Sequence, residues 1–159
     1  MIPKNYDIEF KNVYFGYDDQ MVINGVSFIA KQGEVTALIG PSGSGKSTLA
    51  KLAARFWDLS KGEILLGEEN ISEIDPEVLL EYFSIVFQDV ILFNASIKDN
   101  IKIGKKDASD DEIIRAAKMA RCYEFIDKMP NGIDTLIGEN GQKLSGGERQ
   151  RISIARAIL

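Results

Sequence analysis

The sequence predicts an α/β fold in which a strand-rich half precedes a helix-rich half. Three observations predict it. Residues 35–39 form a continuous apolar run, followed at once by a glycine-dense turn and then by helical spacing, the order strand, loop, helix. Upstream, apolar residues alternate in two stretches, as strands do. Downstream of Ser109 the apolar period becomes helical, and Ser-x-x-Glu boxes open two helices, at Ser109 and Ser145.

Taken in order, residues 6–17 read as a strand through Ile8 and Phe10, then Val13, Phe15 and Tyr17. Residues 22–29 read as a second strand, ended by Lys31-Gln32-Gly33. The run 35–39 is expected to be a strand buried on both faces. Residues 48–57 carry helical spacing at Leu49, Leu52, Ala53 and Phe56. Residues 62–66 predict a strand, Asp75-Pro76 a helix start, and 84–87 a second buried strand. From Ser109, the positions Ile113, Ala116, Ala117 and Ala120 keep helical spacing. Residues 123–129 stay helical until Pro130-Asn131-Gly132 breaks the pattern. The last helix opens at Ser145 and runs through Ile152, Ala155 and Ile158. Gln88 lies near the join, so the halves are expected at about residues 1–88 and 89–159.

The 159 residues suit one domain, with 45% apolar and 27% charged residues in an ordinary soluble balance. No run approaches the length of a membrane span, and no basic start precedes an apolar stretch as in a signal peptide. A net charge of −5 argues against nucleic acid as the main partner. The single cysteine, Cys122, sits in a helical pattern and reads as a small packed residue in a reducing compartment. With no histidine, a zinc site is not expected.

The turn after residue 39 reads Gly40-Pro41-Ser42-Gly43-Ser44-Gly45-Lys46-Ser47-Thr48. Glycines at 43 and 45 let the backbone curl so that successive N–H groups converge on an anion. Those amides and the positive end of the following helix suit phosphate oxygens. Lys46 supplies a point charge for the outer phosphates, and Ser47 offers its hydroxyl to Mg²⁺. A second glycine motif, Leu144-Ser145-Gly146-Gly147-Glu148, lies about 100 residues on. By itself it fits a capped helix as well as an anion site, since Ser145 would cap and Glu148 return the bond.

The run from Leu144 to Arg151, with the glycine loop upstream, closely resembles the signature motif of ABC-type ATPases, and the resemblance covers the entire chain. It implies a P-loop NTPase core of ABC ATPase type with an N-terminal antiparallel β subdomain and a helical subdomain. In that family an aromatic residue near the N-terminus stacks on adenine, and Tyr17 matches it. The plain alternative for Tyr17 is a core-facing strand residue in register with Val13 and Phe15. Gln88 matches the family's Q-loop glutamine, which reaches Mg²⁺ and the attacking water; the alternative is a polar residue ending a strand. The stretch from Leu92 to Ile101 resembles the segment after the Q-loop in exporters. The stretch from Thr135 to Gly141 resembles the X-loop, which contacts the transmembrane partner; its Glu139 reads either as part of that contact or as an ordinary solvated carboxylate.

The resemblance further implies ATP and Mg²⁺ as cofactors and a head-to-tail pair of domains. Residues 40–48 of one domain and Ser145, Gly146 and Gly147 of the other would sandwich each nucleotide. It implies a transmembrane partner, a place on the cytoplasmic face of the plasma membrane, and export of a substrate driven by ATP binding and hydrolysis. Other readings are a soluble ABC-type ATPase acting on nucleic acid or ribosomes, or a non-catalytic nucleotide-binding fragment. The family's Walker B strand, with its general base, its D-loop and its switch histidine have no counterpart in these residues. The sequence therefore reads as a fragment with the C-terminal part of the sheet missing. Little turnover and poor solubility are expected of it alone.

Overall fold

A computed structural model describes residues 3–18 and 20–159. The chain forms two compact units, Met1–Phe83 and Ser84–Leu159.

The first unit is built on a four-stranded antiparallel sheet. Its strands are β1 (Ile8–Tyr17), β2 (Gln20–Ala30), β3 (Lys61–Leu66) and β4 (Glu69–Asn70), in spatial order β2-β1-β3-β4. Phe10 pairs with Phe28 and Val13 with Val26, so two residues of β1, Lys11 and Asn12, stand opposite one of β2, Ser27. That extra residue is a β-bulge, and Asn12 within it has φ 49. The bulge explains why the apolar positions of β1 change parity, from Ile8 and Phe10 to Val13 and Phe15: after it, Val13 and Phe15 face the core. Helix α1 (Lys46–Ala53) buries Leu49 and Leu52 among Phe10, Phe15, Ile23 and Ile64. Helix α2 (Pro76–Leu80) begins where Asp75 accepts from the N–H of Glu77, with Pro76 at its first position.

Two sequence expectations fail here. Residues 35–39 form no strand: Val35 is 99% exposed and Ile39 94%. A strand exists only through its hydrogen-bonded neighbours, and no described strand pairs with this run. Its Thr36 and Leu38 line an open apolar groove of about 150 Å³, together with Ile8, Phe10, Phe28 and Leu49. The predicted helix 48–57 ends at Ala53 instead. Arg55 takes a left-handed φ of 53, its N–H donates to Leu52, and the N–H of Phe56 donates to Lys51. Those two bonds are a Schellman motif, which ends the helix and turns the chain back.

The second unit is helical. It contains α3 (Ile97–Lys102), α4 (Asp110–Met119), α5 (Tyr123–Ile126) and α6 (Gly146–Ile158), with short 3-10 turns at Gly132–Asp134 and Glu139–Gly141. α6 packs on α3 and α4 through Ile152 and Ala155, against Ile97, Ile101 and Ile113. Ser109 and Ser145 cap α4 and α6 in complete capping boxes, as the sequence predicts. The second expected strand, 84–87, is also absent, with Val86 39% exposed. The reason is the same: no neighbour among the described strands bonds to it. The helical run expected to reach 129 is α5 alone, followed by turns. No helix among the described residues is long and apolar enough to cross a membrane.

Candidate functional site

Tyr17 and residues 40–48 lie in the first unit, and Gln88 and residues 145–147 in the second, so each group is described within its own unit. The loop before α1 turns through Gly43 (φ 81) and Gly45 (φ 85). A side chain at 45 would be strained by that backbone and would meet Ile23 Cδ1 at 2.6 Å. The glycine therefore serves both the left-handed turn and the close approach of the loop to β2.

Helix α1 starts differently from α4 and α6. Its N-cap is Gly45, with no side-chain cap and no acidic residue in the first turn. Its first-turn N–H groups are therefore unclaimed by any carboxylate or hydroxyl of the described residues. Lys46 reaches back over the loop, its Nζ donating to the carbonyls of Pro41 (2.7 Å) and Gly40 (3.0 Å) and to Ser44 Oγ (3.3 Å). Ser47 is exposed and Thr48 buried. Uncapped amides, a helix N-terminus and a lysine make a cationic cradle for a multiply charged anion.

Tyr17 stands at the end of β1 beside this cradle, its hydroxyl 3.5 Å from Thr48 Oγ1. It does not face the core: 39% of it is exposed, whereas Val13 and Phe15 are buried. Its ring meets Phe15 and Trp57 edge to face, at centroid distances of 4.9 and 5.3 Å. The sequence reading missed Trp57, because Phe56 continued the apparent helical spacing and drew residue 57 into the helix.

In the second unit Gln88 is exposed in a bend. The carbonyl of its neighbour Phe87 accepts from Gln150 Nε2 of α6 at 3.5 Å. At the start of α6, Ser145 Oγ donates to Glu148 Oε2 (2.7 Å), which also accepts from the Ser145 N–H (2.8 Å). The Ser145 hydroxyl and then its backbone N–H hold the Glu148 carboxyl below its ordinary range. This helix N-terminus thus carries its own carboxylate, while Gly146 and Gly147 stay exposed. Glu139 is exposed at the start of its 3-10 turn. Also missed was a buried polar hub, Asn100 with Arg156, which ties α6 to residues 91–100. Its one sequence signal was an asparagine inside an otherwise apolar helix face. Among the described residues no group of carboxylates, cysteines or histidines could hold a metal ion.

The fold and the uncapped glycine loop point to the class of proteins that hold phosphate groups at the start of a helix. Residues 23–159 match the ABC transporter family, and the chain belongs to that family. It is 49% identical over 160 residues to an ATP-dependent lipid A-core flippase of Haemophilus influenzae, covering 99% of this chain and 27% of that protein. It is 45% identical over 162 residues to the mitochondrial iron-sulfur clusters transporter ATM1 of Saccharomyces cerevisiae, covering 100% of this chain and 24% of that protein. A solved bacterial Atm1-family ABC exporter with ATP bound superposes with a TM-score of 0.95 at 43% identity, over 99% of this chain and 28% of that one. The chain thus spans about a quarter of the length of the relatives it matches.

Proposed function

We propose that these residues are the ATP-binding part of an ABC exporter, in which nucleotide binding and hydrolysis drive a substrate across a membrane. The observation that carries the reading is the uncapped start of α1 under Lys46, beside the exposed ring of Tyr17. Tyr17 takes the base by stacking, which suits any base and so does not select adenine alone. The amides of Gly40, Ser42, Gly43, Ser44 and Gly45 and the start of α1, with Lys46 and Thr48, take the phosphates; Pro41 contributes its fixed φ in place of a donor. Mg²⁺ takes hard oxygen ligands, and the exposed Ser47 hydroxyl beside the cradle fits that preference; the Gln88 amide of the second unit carries an oxygen donor of the same kind. Bound there, the ion would neutralise charge on the terminal phosphates.

Ser145, Gly146 and Gly147 act in trans, on the nucleotide of a second copy of the domain or of a similar one. Their exposure supports this, as do the first-turn N–H groups of α6, which have no helical acceptor. Ser145 Oγ turns from Glu148 to the incoming γ-phosphate. Ile91, Phe93 and Leu136, exposed by 67, 56 and 62%, sit on two segments joined by the Ser96–Leu136 bridge. These apolar residues support contact with a transmembrane domain at the cytoplasmic membrane face. The net charge of −5 supports a partner other than nucleic acid.

Titrating MgATP against the chain and its Lys46→Ala variant tests the assignment. Binding that is lost or at least tenfold weaker in the variant supports it, and equal affinity removes it.

A further inference from the structure

We propose that Trp57 is a positioning residue that sets the plane of the Tyr17 ring, and so governs how tightly the nucleobase is held while leaving phosphate affinity unchanged. This rests on the nucleotide reading above and deepens it.

Tyr17 is the last residue of β1, and Asp18 after it turns away with φ 51. A tyrosine at such an end has little of its own strand to hold it. Its ring is nevertheless perpendicular to two others, at 87° to Phe15 and 89° to Trp57. Edge-to-face packing of this kind is favoured by the ring quadrupoles. Phe15 is buried and fixed by the core. Trp57 is 39% exposed, and its place is fixed by the chain around it.

That chain is held at several points. The Schellman motif at Arg55 reverses the chain after α1. The Arg55 guanidinium then donates to the carbonyls of Ile71 (3.1 Å) and Ile74 (3.0 Å), and to Asp58 (3.1 Å). Two residues further on, the N–H of Ser60 donates to the Tyr14 carbonyl on β1. Lys51 Nζ lies 5.4 Å from the centre of the Trp57 ring. The helix that begins with the phosphate cradle therefore ends by delivering Trp57 against the base platform. A platform already ordered in the free chain avoids an ordering cost on binding.

The test measures the affinities of MgATP and of inorganic tripolyphosphate for the chain and for Trp57→Ala, Trp57→Phe, Tyr17→Ala and Lys46→Ala. Trp57→Ala is expected to weaken MgATP about tenfold and leave tripolyphosphate within about twofold. Trp57→Phe, which keeps an aromatic edge, should restore most of the loss. Adding Trp57→Ala to Tyr17→Ala should cost little more, because the two act through one ring. Unchanged tripolyphosphate affinity also shows that the variant is folded. Trp57→Ala with undiminished MgATP affinity overturns the proposal, as does equal weakening of both ligands. If Lys46→Ala binds tripolyphosphate as the parent chain does, the nucleotide reading falls and this proposal with it. If Lys46 matters and Trp57 does not, only this proposal falls. Trp57 is the sole tryptophan, so its fluorescence should respond to MgATP and not to tripolyphosphate.

Discussion

Arg156 and Asn100 form a buried polar clasp: the guanidinium of α6 donates to the Asn100 carbonyl at 3.0 Å and to its side-chain Oδ1 at 3.2 Å. Asn100 is fully buried in α3. Its Oδ1 also accepts from the Phe93 N–H, and its Nδ2 donates to the carbonyls of Phe93 and Ser96. Arg156 adds a bond to the Ile91 carbonyl. Every polar atom of the amide is thus matched, which is the condition for burying one.

Replacing Asn100 with Leu leaves the Phe93 N–H and part of Arg156 unpaired, and takes one of two donors from each of the Phe93 and Ser96 carbonyls, without opening a cavity. The expected loss is about 3 kcal/mol of stability, with faster amide exchange at 91–96. Denaturant unfolding and hydrogen exchange measure both, and a loss below about 1 kcal/mol would show that the clasp is dispensable.

Gly45→Ala places a methyl group against Ile23 Cδ1 on a backbone with φ 85. The strain is about 1–2 kcal/mol. The loop should relax by opening, so MgATP binding should fall at least tenfold while the far-UV circular dichroism stays the same. Retained affinity would show that the cradle tolerates another backbone path.

The start of α4 should respond to acid. Lys105 and then the Ser109 backbone and hydroxyl lower the Glu112 carboxyl from an ordinary 4.5 to about 2. A carboxyl lowered by folding stabilises the fold above its unfolded value and loses that contribution as pH falls toward its folded one. Order in the first turn of α4 should therefore fade between pH 4.5 and about 2. Glu112→Gln should flatten that dependence, as read by NMR amide shifts of 110–113 against pH. An identical profile in the variant would assign the change to other carboxylates.

Cys122 is fully buried, its thiol donates to the Ala117 carbonyl, and burial raises its pKa to about 11. Thiolate is therefore scarce and shielded at neutral pH. Maleimide labelling should be slow in buffer and complete in denaturant. Rapid labelling under native conditions would mean that the helical unit opens readily.

The run 35–39 displays Val35 and Ile39 almost wholly to solvent. Ile39→Lys should change stability by no more than about 0.5 kcal/mol, because no packing is lost. It should also reduce self-association in light scattering, because an exposed apolar run with unpaired backbone invites pairing. A cooperative, monodisperse parent chain would remove the premise.

Much of this protein was readable in advance where the signal is local. The capping boxes at Ser109 and Ser145, the Asp75-Pro76 start and the glycine loop each involve residues within a few positions of one another. Even the β1 bulge left a trace, in the parity change between Phe10 and Val13. Trp57 left none, since its partner Tyr17 is 40 residues away. The Asn100–Arg156 clasp joins residues 56 positions apart, and its one trace in the sequence was the asparagine on the apolar face of α3.

The order of residues alone determined the cradle, the helix starts at Asp75, Ser109 and Ser145, and the family, because dihedral preferences and short-range hydrogen bonds are written in neighbouring side chains. Tertiary structure alone decided whether the apolar runs 35–39 and 84–87 become strands, where α1 stops, and which ring supports Tyr17. A strand needs a partner backbone and a ring needs a facing ring, and both come from distant parts of a chain.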